Sequence, residues 1–372
     1  TVDVAFDVTM AIANSNDNPS VLNGFEPIFV DEDSGPISID LSLIFGDDDM
    51  DIGLDSLIYL AEGFTTFRKE NNADWALEEN QDRVNDAVWI TRKNNQSIFN
   101  IASEEGYSQS NGSPQGTEWA LGYAAQSDGL AFAPFIPTLS NSPQSAIGKP
   151  LVLYTLDDST FFDMMVHQWT GGNNGGGFSW TRSNVTMDHP ILVTPEIVGA
   201  NLTLHLHPNA FGETDVVIVA MDTFGEIVSD SISITINPIN DSPGDFTLLV
   251  PENNSVVSDL TPTFTWEAPI DPDNSESTGE ASPVAQNQNM TRSISTYNVY
   301  IGVSPEFTIY DVVAVVTDNY YTHEVELSED QVYYWMIEAV DNGDSVTVSE
   351  TWSFTVNTQN SPPDSLVLLT PT

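Results

Sequence analysis

The sequence predicts an all-β chain of two β-sandwiches in tandem, the first carrying a second β-rich domain inserted into one of its loops. Three observations predict it. Segments in which apolar and polar residues alternate recur along the 372 residues, each bounded by Asn, Asp, Gly or Pro, which is the pattern of half-buried strands. One strand-plus-linker pattern occurs in three places. No stretch shows a helical period with caps; Glu70 to Val84 is the one candidate, and Asn71-Asn72 sit near its start.

The repeated pattern sets the domain organisation. Val2 to Ile12 is followed by Asn14-Ser15-Asn16-Asp17-Asn18-Pro19, Val228 to Ile236 by Asn237-Pro238-Ile239-Asn240-Asp241-Ser242-Pro243, and Val348 to Val356 by Asn357-Thr358-Gln359-Asn360-Ser361-Pro362-Pro363. The strand before also matches in the last two copies, Val219-Ala220-Met221-Asp222 against Glu338-Ala339-Val340-Asp341, each running into a turn with glycine. The interval from Asn240 to Asn360 suits one sandwich of about 100 residues, whereas that from Asn16 to Asn240 is about twice as long and must hold something more. Residues 16–70 and 186–240 therefore read as one sandwich, and 71–185 as a domain inserted into it. The insert holds Trp75, Trp89, Trp119, Trp169 and Trp180, a glycine run and most of the basic residues. Residues 241–358 read as the second sandwich, within which Asn274 to Ser295 is too polar to pack and is expected to be a mobile surface loop. Residues 1–15 read as the last strand of a preceding repeat and 359–372 as the start of a following one, so both ends are expected to be cuts through a longer protein.

Composition excludes several function classes. With 55 acidic residues against 8 basic ones the net charge is −47, which argues against nucleic acid and against anionic membrane surfaces, since both need clustered Lys and Arg. No run of 18 apolar residues offers a membrane-inserting helix. The absence of cysteine removes disulfides and thiolate-ligated zinc. So much like charge strains a compact state unless cations neutralise it, which points to divalent ions or a saline exterior. There is no G-x-S-x-G, no H-E-x-x-H and no cysteine nucleophile, so the chain is expected not to be an enzyme.

Three resemblances follow from particular residues. Asn14 to Asn18, with Glu32-Asp33 and Phe45-Gly46-Asp47-Asp48-Asp49, resembles the cadherin-like tandem repeats of large bacterial surface proteins, whose linker motif is D-x-N-D-N. The first position here is Asn. The resemblance implies Ca2+ held at the junction by Asn16, Asp17, Asn18 and Glu32, and more weakly by Asn240 and Asp241 of the second linker. Residues 241–358 look like a fibronectin type III-like module, on the strength of Thr261-Pro262-Thr263-Phe264-Thr265-Trp266, Tyr297-Asn298-Val299-Tyr300 and Tyr333-Tyr334-Trp335. Leu366 to Thr372 echoes the first strand of that module, Phe246 to Pro251. Together they imply tandem Ig-like β-sandwiches.

Four further clusters carry candidate chemistry. Asp47-Asp48-Asp49-Met50-Asp51-Ile52-Gly53 gathers carboxylates at alternating positions around a glycine turn, so Asp47, Asp49 and Asp51 are candidate calcium ligands, against the alternative of a solvated acidic turn. Asp271-Pro272-Asp273-Asn274 is a shorter version that reads better as a plain turn. His205 and His207 alternate on a strand and face one side, yet no third metal ligand is visible, and they read as a pair of exposed strand histidines. Gly171 to Gly177 lacks the Lys of a phosphate loop and reads as a wide hairpin loop. Its alternative is a sugar-binding edge lined by Trp169, Trp180 and Arg182.

The function this predicts is structural and adhesive. The chain is expected to be a segment of a secreted or cell-surface (extracellular) repeat protein, a calcium-stiffened stalk or filament for attachment, with adjacent repeats of the same chain, a homo-oligomeric fibre and a cell-surface glycan or protein as partners. The alternative is a carbohydrate-binding module, residues 71–185, carried on β-sandwich spacers.

Overall fold

The computed structural model describes residues 16–48, 56–187, 189–272 and 293–358. The terminal segments 1–15 and 359–372, most of the polar segment 274–295, and the carboxylates of Asp49 and Asp51 lie outside the described residues. The chain divides into two compact units, Thr1–Pro238 and Ile239–Thr372. Nearly all regular structure is β, as expected.

The first unit is a sandwich with an insert. Its host sandwich uses β1 (Ser20–Val21), β2 (Ile28–Asp31), β3 (Ile37–Asp40), β4 (Phe45–Gly46) and β5 (Ile58–Ala61), then resumes with β14 (Val193–Val198), β15 (Asn201–Leu206), β16 (Gly212–Met221) and β17 (Ile227–Asn237). One sheet has the order β2-β17-β16-β5 and another β14-β15-β3, with β1 paired to β4. The alternation read from the sequence is the burial pattern: Ile218 and Ala220 on β16, Ile232, Ile234 and Ile236 on β17, and Leu202 and Leu204 on β15 are all buried. Ser231 and Ser233, which flank Ile232, face out.

The insert begins earlier than its composition suggests. β6 (Phe64–Lys69) pairs along its whole length with β13 (Phe178–Ser183), so it is the edge of a five-stranded sheet, β10-β11-β12-β13-β6, and not a host strand. The other members are β10 (Thr117–Leu121), β11 (Pro150–Thr155) and β12 (Thr160–Trp169), while β7 (Asp82–Arg83), β8 (Trp89–Arg92) and β9 (Ile98–Asn100) form a small second sheet. The core is aromatic: Phe67, Trp119, Phe135, Trp169, Phe178 and Trp180 pack together with Ile90, Ile98 and Leu151. The helix candidate at Glu70 to Val84 forms turns with one 3-10 turn, Glu78–Asn80. A single α-helical turn stands instead at Phe135–Thr138, among the described residues. Gly171 to Gly177 is the β12–β13 hairpin loop. Gly176 has φ +66° there, and a Cβ would lie 2.3 Å from the Lys93 carbonyl, so both backbone and space require glycine.

The second unit is a two-sheet sandwich. β18 (Leu248–Val250), β20 (Thr263–Trp266) and β23 (Tyr320–Thr322) make one sheet. The other runs β19 (Ser255–Val257), β26 (Trp352–Val356), β24 (Val332–Asp341), β21 (Ile294–Gly302) and β22 (Val312–Val316), with β25 (Val346–Val348) also on β24. The segment Val348 to Val356 is thus split between two strands. Phe264, Trp266, Tyr297, Trp335 and Phe354 fill the space between the sheets. The two sandwiches share one connection: an early strand crosses over to pair in parallel with the last one, β2 with β17 and β19 with β26.

Candidate metal centres

At one end of the host sandwich the first linker meets the β16–β17 turn. Asp222 follows β16 and organises that turn, its Oδ1 accepting from the amides of Phe224 at 2.9 Å and Glu226 at 2.8 Å. Gly225 supplies the left-handed residue of the turn at φ +92°. Asp222 Oδ2 accepts from Asn16 Nδ2 at 2.9 Å, and Asp222 is only 1% exposed. Burial alone would raise its pKa; the hydrogen bonds from Asn16 and from the Glu226, Phe224 and Gly225 amides outweigh that and hold it below the usual carboxylate range. The other amide atom of Asn16, Oδ1, is buried with no hydrogen-bond partner. Such an acceptor costs about 1–3 kcal/mol unless something supplies positive charge to it. Asp47, also buried, follows Gly46, whose carbonyl accepts from Ser20 Oγ four residues after Asn16.

The second sandwich repeats this arrangement. Asn240 Nδ2 donates to Asp341 Oδ2 at 2.9 Å and to Ser345 Oγ at 2.6 Å, while its Oδ1 is again buried with no hydrogen-bond partner. Asp341, 1% exposed, is the last residue of β24, where Asp222 comes directly after β16, and its Oδ1 takes the amides of Gly343 and Ser345 at 2.7 and 2.8 Å. Asp271, also buried, follows Ile270, whose carbonyl accepts from the amide of Gly244, four residues after Asn240. Each pole therefore pairs an amide oxygen in need of a positive partner with a buried carboxylate, and a second buried Asp directly follows a residue bonded to the same linker, so the candidate donors are oxygens only. That is the chemistry of a hard cation such as Ca2+, and the residues fit it.

Asn16 and Asn240 bond to buried carboxylates at these poles, Asp47 is buried, and Asp17, Asn18 and Asp241 flank the two asparagines, Asp17 and Asn18 exposed and Asp241 half-buried. Asp222, Asp341 and Asp271 were not assigned from sequence. The signal was there in the matched Met221-Asp222 and Val340-Asp341 strand ends, which mark the same turn in both sandwiches. Glu32 requires a correction. β2 runs parallel to β17 with Asp31 opposite Asn237, so Glu32 stands at the far end of β17 from Asp222, about 30 Å away at about 3.3 Å per residue. It cannot share a cation with Asn16, Asp17 and Asn18. Glu32 is buried at that opposite end, its amide bonded to the Asn237 carbonyl at 2.9 Å.

The sugar-edge residues also require correction. Trp180 is fully buried and donates from Nε1 to Asp82 Oδ2 at 2.7 Å. Arg182, 7% exposed, forks onto both oxygens of Asp82 at 3.1–3.2 Å. Trp169 lies in the core, its ring 4.2 Å from the Arg92 guanidinium carbon. These aromatics hold the insert together and present no open face to a sugar ring. The histidines are corrected too. His207 is 1% exposed, bonded through Nε2 to Thr194 Oγ1 at 2.7 Å, and burial pushes its pKa down to about 3. His205, half-buried, bonds Glu196 Oε2 at 3.0 Å. They are not an exposed pair, because the β14–β15 face that carries them packs against the insert, where Tyr123 lies 5.4 Å from His207.

Among the described residues no helix is long and apolar enough to cross a membrane. No protein-family model matches the chain, and no curated protein does. Similar solved structures include a fibronectin type III domain from the human KIAA0970 protein, 16% identical, covering 35% of this chain and 85% of that one with a TM-score of 0.22. The fibronectin(III)-like modules of Clostridium thermocellum CbhA are 13% identical over 46% of this chain and 82% of theirs, with a TM-score of 0.22. Drosophila N-cadherin EC1-4 is 15% identical over 46% of this chain and 40% of its own, with a TM-score of 0.23. The chain's own strand order makes its two units β-sandwich domains.

Proposed function

We propose that the chain is a structural and adhesive segment of an extracellular repeat protein, its sandwiches stiffened by Ca2+ where the linkers enter them. The observation that carries this reading is the duplicated pole. Asn16 with Asp222, and Asn240 with Asp341, make the same bond in the same topological position, each leaving a buried amide oxygen without a donor. In the first sandwich Asn16, Asp47 and Asp222 would hold the ion, and in the second Asn240, Asp271 and Asp341. Bound calcium would supply the positive charge that each cluster of oxygens lacks. The chain's own residues do the rest: the turn amides fix the orientation of Asp222 and Asp341 through Oδ1, and the Asn amide groups fasten each linker to its sandwich through Oδ2. A linker anchored at its root has fewer conformations open to it, which is the physical meaning of stiffening.

Small-angle scattering on the 372-residue chain tests this. In EDTA the chain should be compliant, and added Ca2+ at constant ionic strength should raise the radius of gyration and narrow its distribution. An unchanged scattering curve, or an equal change with sodium chloride, would contradict the reading.

A further inference from the structure

The joint between the insert and its host holds a second, chemically different cluster. On β12 the register against β13 shifts between Val166 and Gln168, so His167 is the extra residue of a bulge. A bulge turns one side chain away from its normal alternation. Here it buries the imidazole, 4% exposed, against the host strands β14 and β15. His167 Nδ1 stands 3.8 Å from Glu196 Oε2, and the His167 and His205 rings are 4.4 Å apart. His205 Nε2 lies 3.0 Å from that same Glu196 oxygen. Glu196 and His205 share a face because Glu196 lies two residues beyond Thr194, the cross-strand partner of His205.

We propose that His167, Glu196 and His205 form a binding site for a divalent transition cation of the Zn2+ class, which fastens the insert to the host sandwich. Four features support it. One ligand atom from each of the three residues lies within 4.8 Å of the other two, and ligands 2.0–2.1 Å from a tetrahedral ion are about 3.3 Å apart, between the 3.8 and 3.0 Å separations of His167 Nδ1 and His205 Nε2 from Glu196 Oε2. His167 Nδ1 is buried and has no hydrogen-bond partner, an arrangement that a metal relieves and an apolar core does not. The other ring nitrogen, Nε2, is engaged by Thr181 Oγ1 at 2.9 Å, and Thr181 is in turn bonded to Thr66, whose Oγ1 accepts from the Ile197 amide. Such outer contacts fix a ligand imidazole in orientation. Finally, two imidazoles and one carboxylate suit zinc and its neighbours and not Ca2+, so this site is distinct from the oxygen-only poles.

Charge is consistent with the assignment. Burial is the main cause that takes His167 down to about 4, with Glu196 acting against it and His205 with it, so the ring is neutral at pH 7 and has a lone pair to give. Burial would raise the Glu196 pKa, but its bond to His205 and the charges of His167, His205 and Arg68 bring it below the usual range. Arg68, the one fixed cation in that set, is itself bonded to Glu70 at 2.5 Å. The two rings are stacked at 24°, each with a nitrogen toward Glu196 Oε2. His205, 22% exposed, is the side from which an ion enters.

The test is titration of the chelator-stripped 372-residue chain with Zn2+ against a chromophoric competitor, in millimolar Ca2+ so that acidic oxygen sites are already filled. Co2+ is titrated in parallel for its visible absorption bands. The expected result is one equivalent of Zn2+ bound tightly, Co2+ bands of nitrogen and oxygen coordination, and at least tenfold weaker binding in His205→Gln and in Glu196→Gln. His323→Gln, in the other unit, should bind as the parent does. Because His205 is partly exposed, that variant should keep the parent's circular dichroism, which separates lost ligation from lost folding. Absence of a stoichiometric site in the parent, or undiminished binding in both His205→Gln and Glu196→Gln, would overturn the proposal.

Discussion

Asn16 and Asp222 are 206 residues apart in sequence, yet Asn16 Nδ2 donates to Asp222 Oδ2 at 2.9 Å, and Asn240 and Asp341 repeat the bond in the second sandwich at the same length. In both pairs the amide nitrogen is used and the amide oxygen is buried without a donor. The duplication makes the arrangement a property of the linker-and-turn design and not of one loop.

Gly343 tests how tightly that design is packed. A Cβ at Gly343 would fall 2.1 Å from Asn240 Oδ1, whereas one at Gly225 meets nothing within 4 Å and costs only its φ of +92°. Gly343→Ala is expected to destabilise the second unit by about 1–3 kcal/mol through overpacking, and Gly225→Ala the first by about 1 kcal/mol. Urea unfolding of the two variants measures this, and only Gly343→Ala should alter the calcium response of its unit.

Asp82 is expected to be the most sensitive polar residue of the insert. Its carboxylate holds both Trp180 Nε1 and the Arg182 guanidinium in a buried position. Asp82→Ala leaves that guanidinium without its partner and should cost about 3–5 kcal/mol. Chemical denaturation monitored by tryptophan fluorescence reads the loss; a change below about 1 kcal/mol would mean that the pair is not closed in solution.

Asp163 gives a pH dependence with a definite sign. Burial raises its pKa to about 6, offset in part by the Ala124 amide and by His189, and its Oδ2 has no hydrogen-bond partner. The folded state therefore holds a proton that the unfolded state has released, and the stability this residue contributes falls as pH rises from about 4 to about 6. Asp163→Asn keeps an acceptor for the Ala124 amide and has no proton to lose. Its advantage over the parent should be near zero at pH 4 and approach about 3 kcal/mol above pH 6, from about 1.4 kcal/mol per unit. Unfolding at pH 4.0, 5.5 and 7.0 checks the trend, and a constant difference across that range would contradict it.

Much of the architecture was legible in the sequence because period-two alternation is local. The Val228 to Ile236 strand, the Gly171 to Gly177 hairpin and the matched Asp222 and Asp341 turns all follow from neighbours in sequence. What was not legible depended on distant partners. Phe64 to Lys69 alternates like any strand, and only its pairing with Phe178 to Ser183 gives it to the insert. Glu32 comes only 14 residues after Asn18 of the first linker, and the parallel placement of β2 beside β17 carries it to the opposite end. Trp180 and Arg182 are held inside by Asp82, about a hundred residues earlier, a partner that no local pattern indicates. His167, the proposed third ligand beside Glu196 and His205, comes from a bulge, which no periodicity announces.

The central claim, that two calcium poles are built on Asn16 with Asp222 and on Asn240 with Asp341, is tested most directly by differential scanning calorimetry of the parent, Asp222→Ala and Asp341→Ala, each in EDTA and with Ca2+ titrated at fixed ionic strength. A ligand that binds only the folded state stabilises it by mass action, by about 2.7 kcal/mol at a hundredfold excess over Kd. The expected result is a calcium-dependent rise in both transitions of the parent, with Asp222→Ala losing the rise of the first unit alone and Asp341→Ala that of the second alone. Transitions that respond equally to Ca2+ and to sodium chloride, or that keep their calcium response in both variants, would contradict the account.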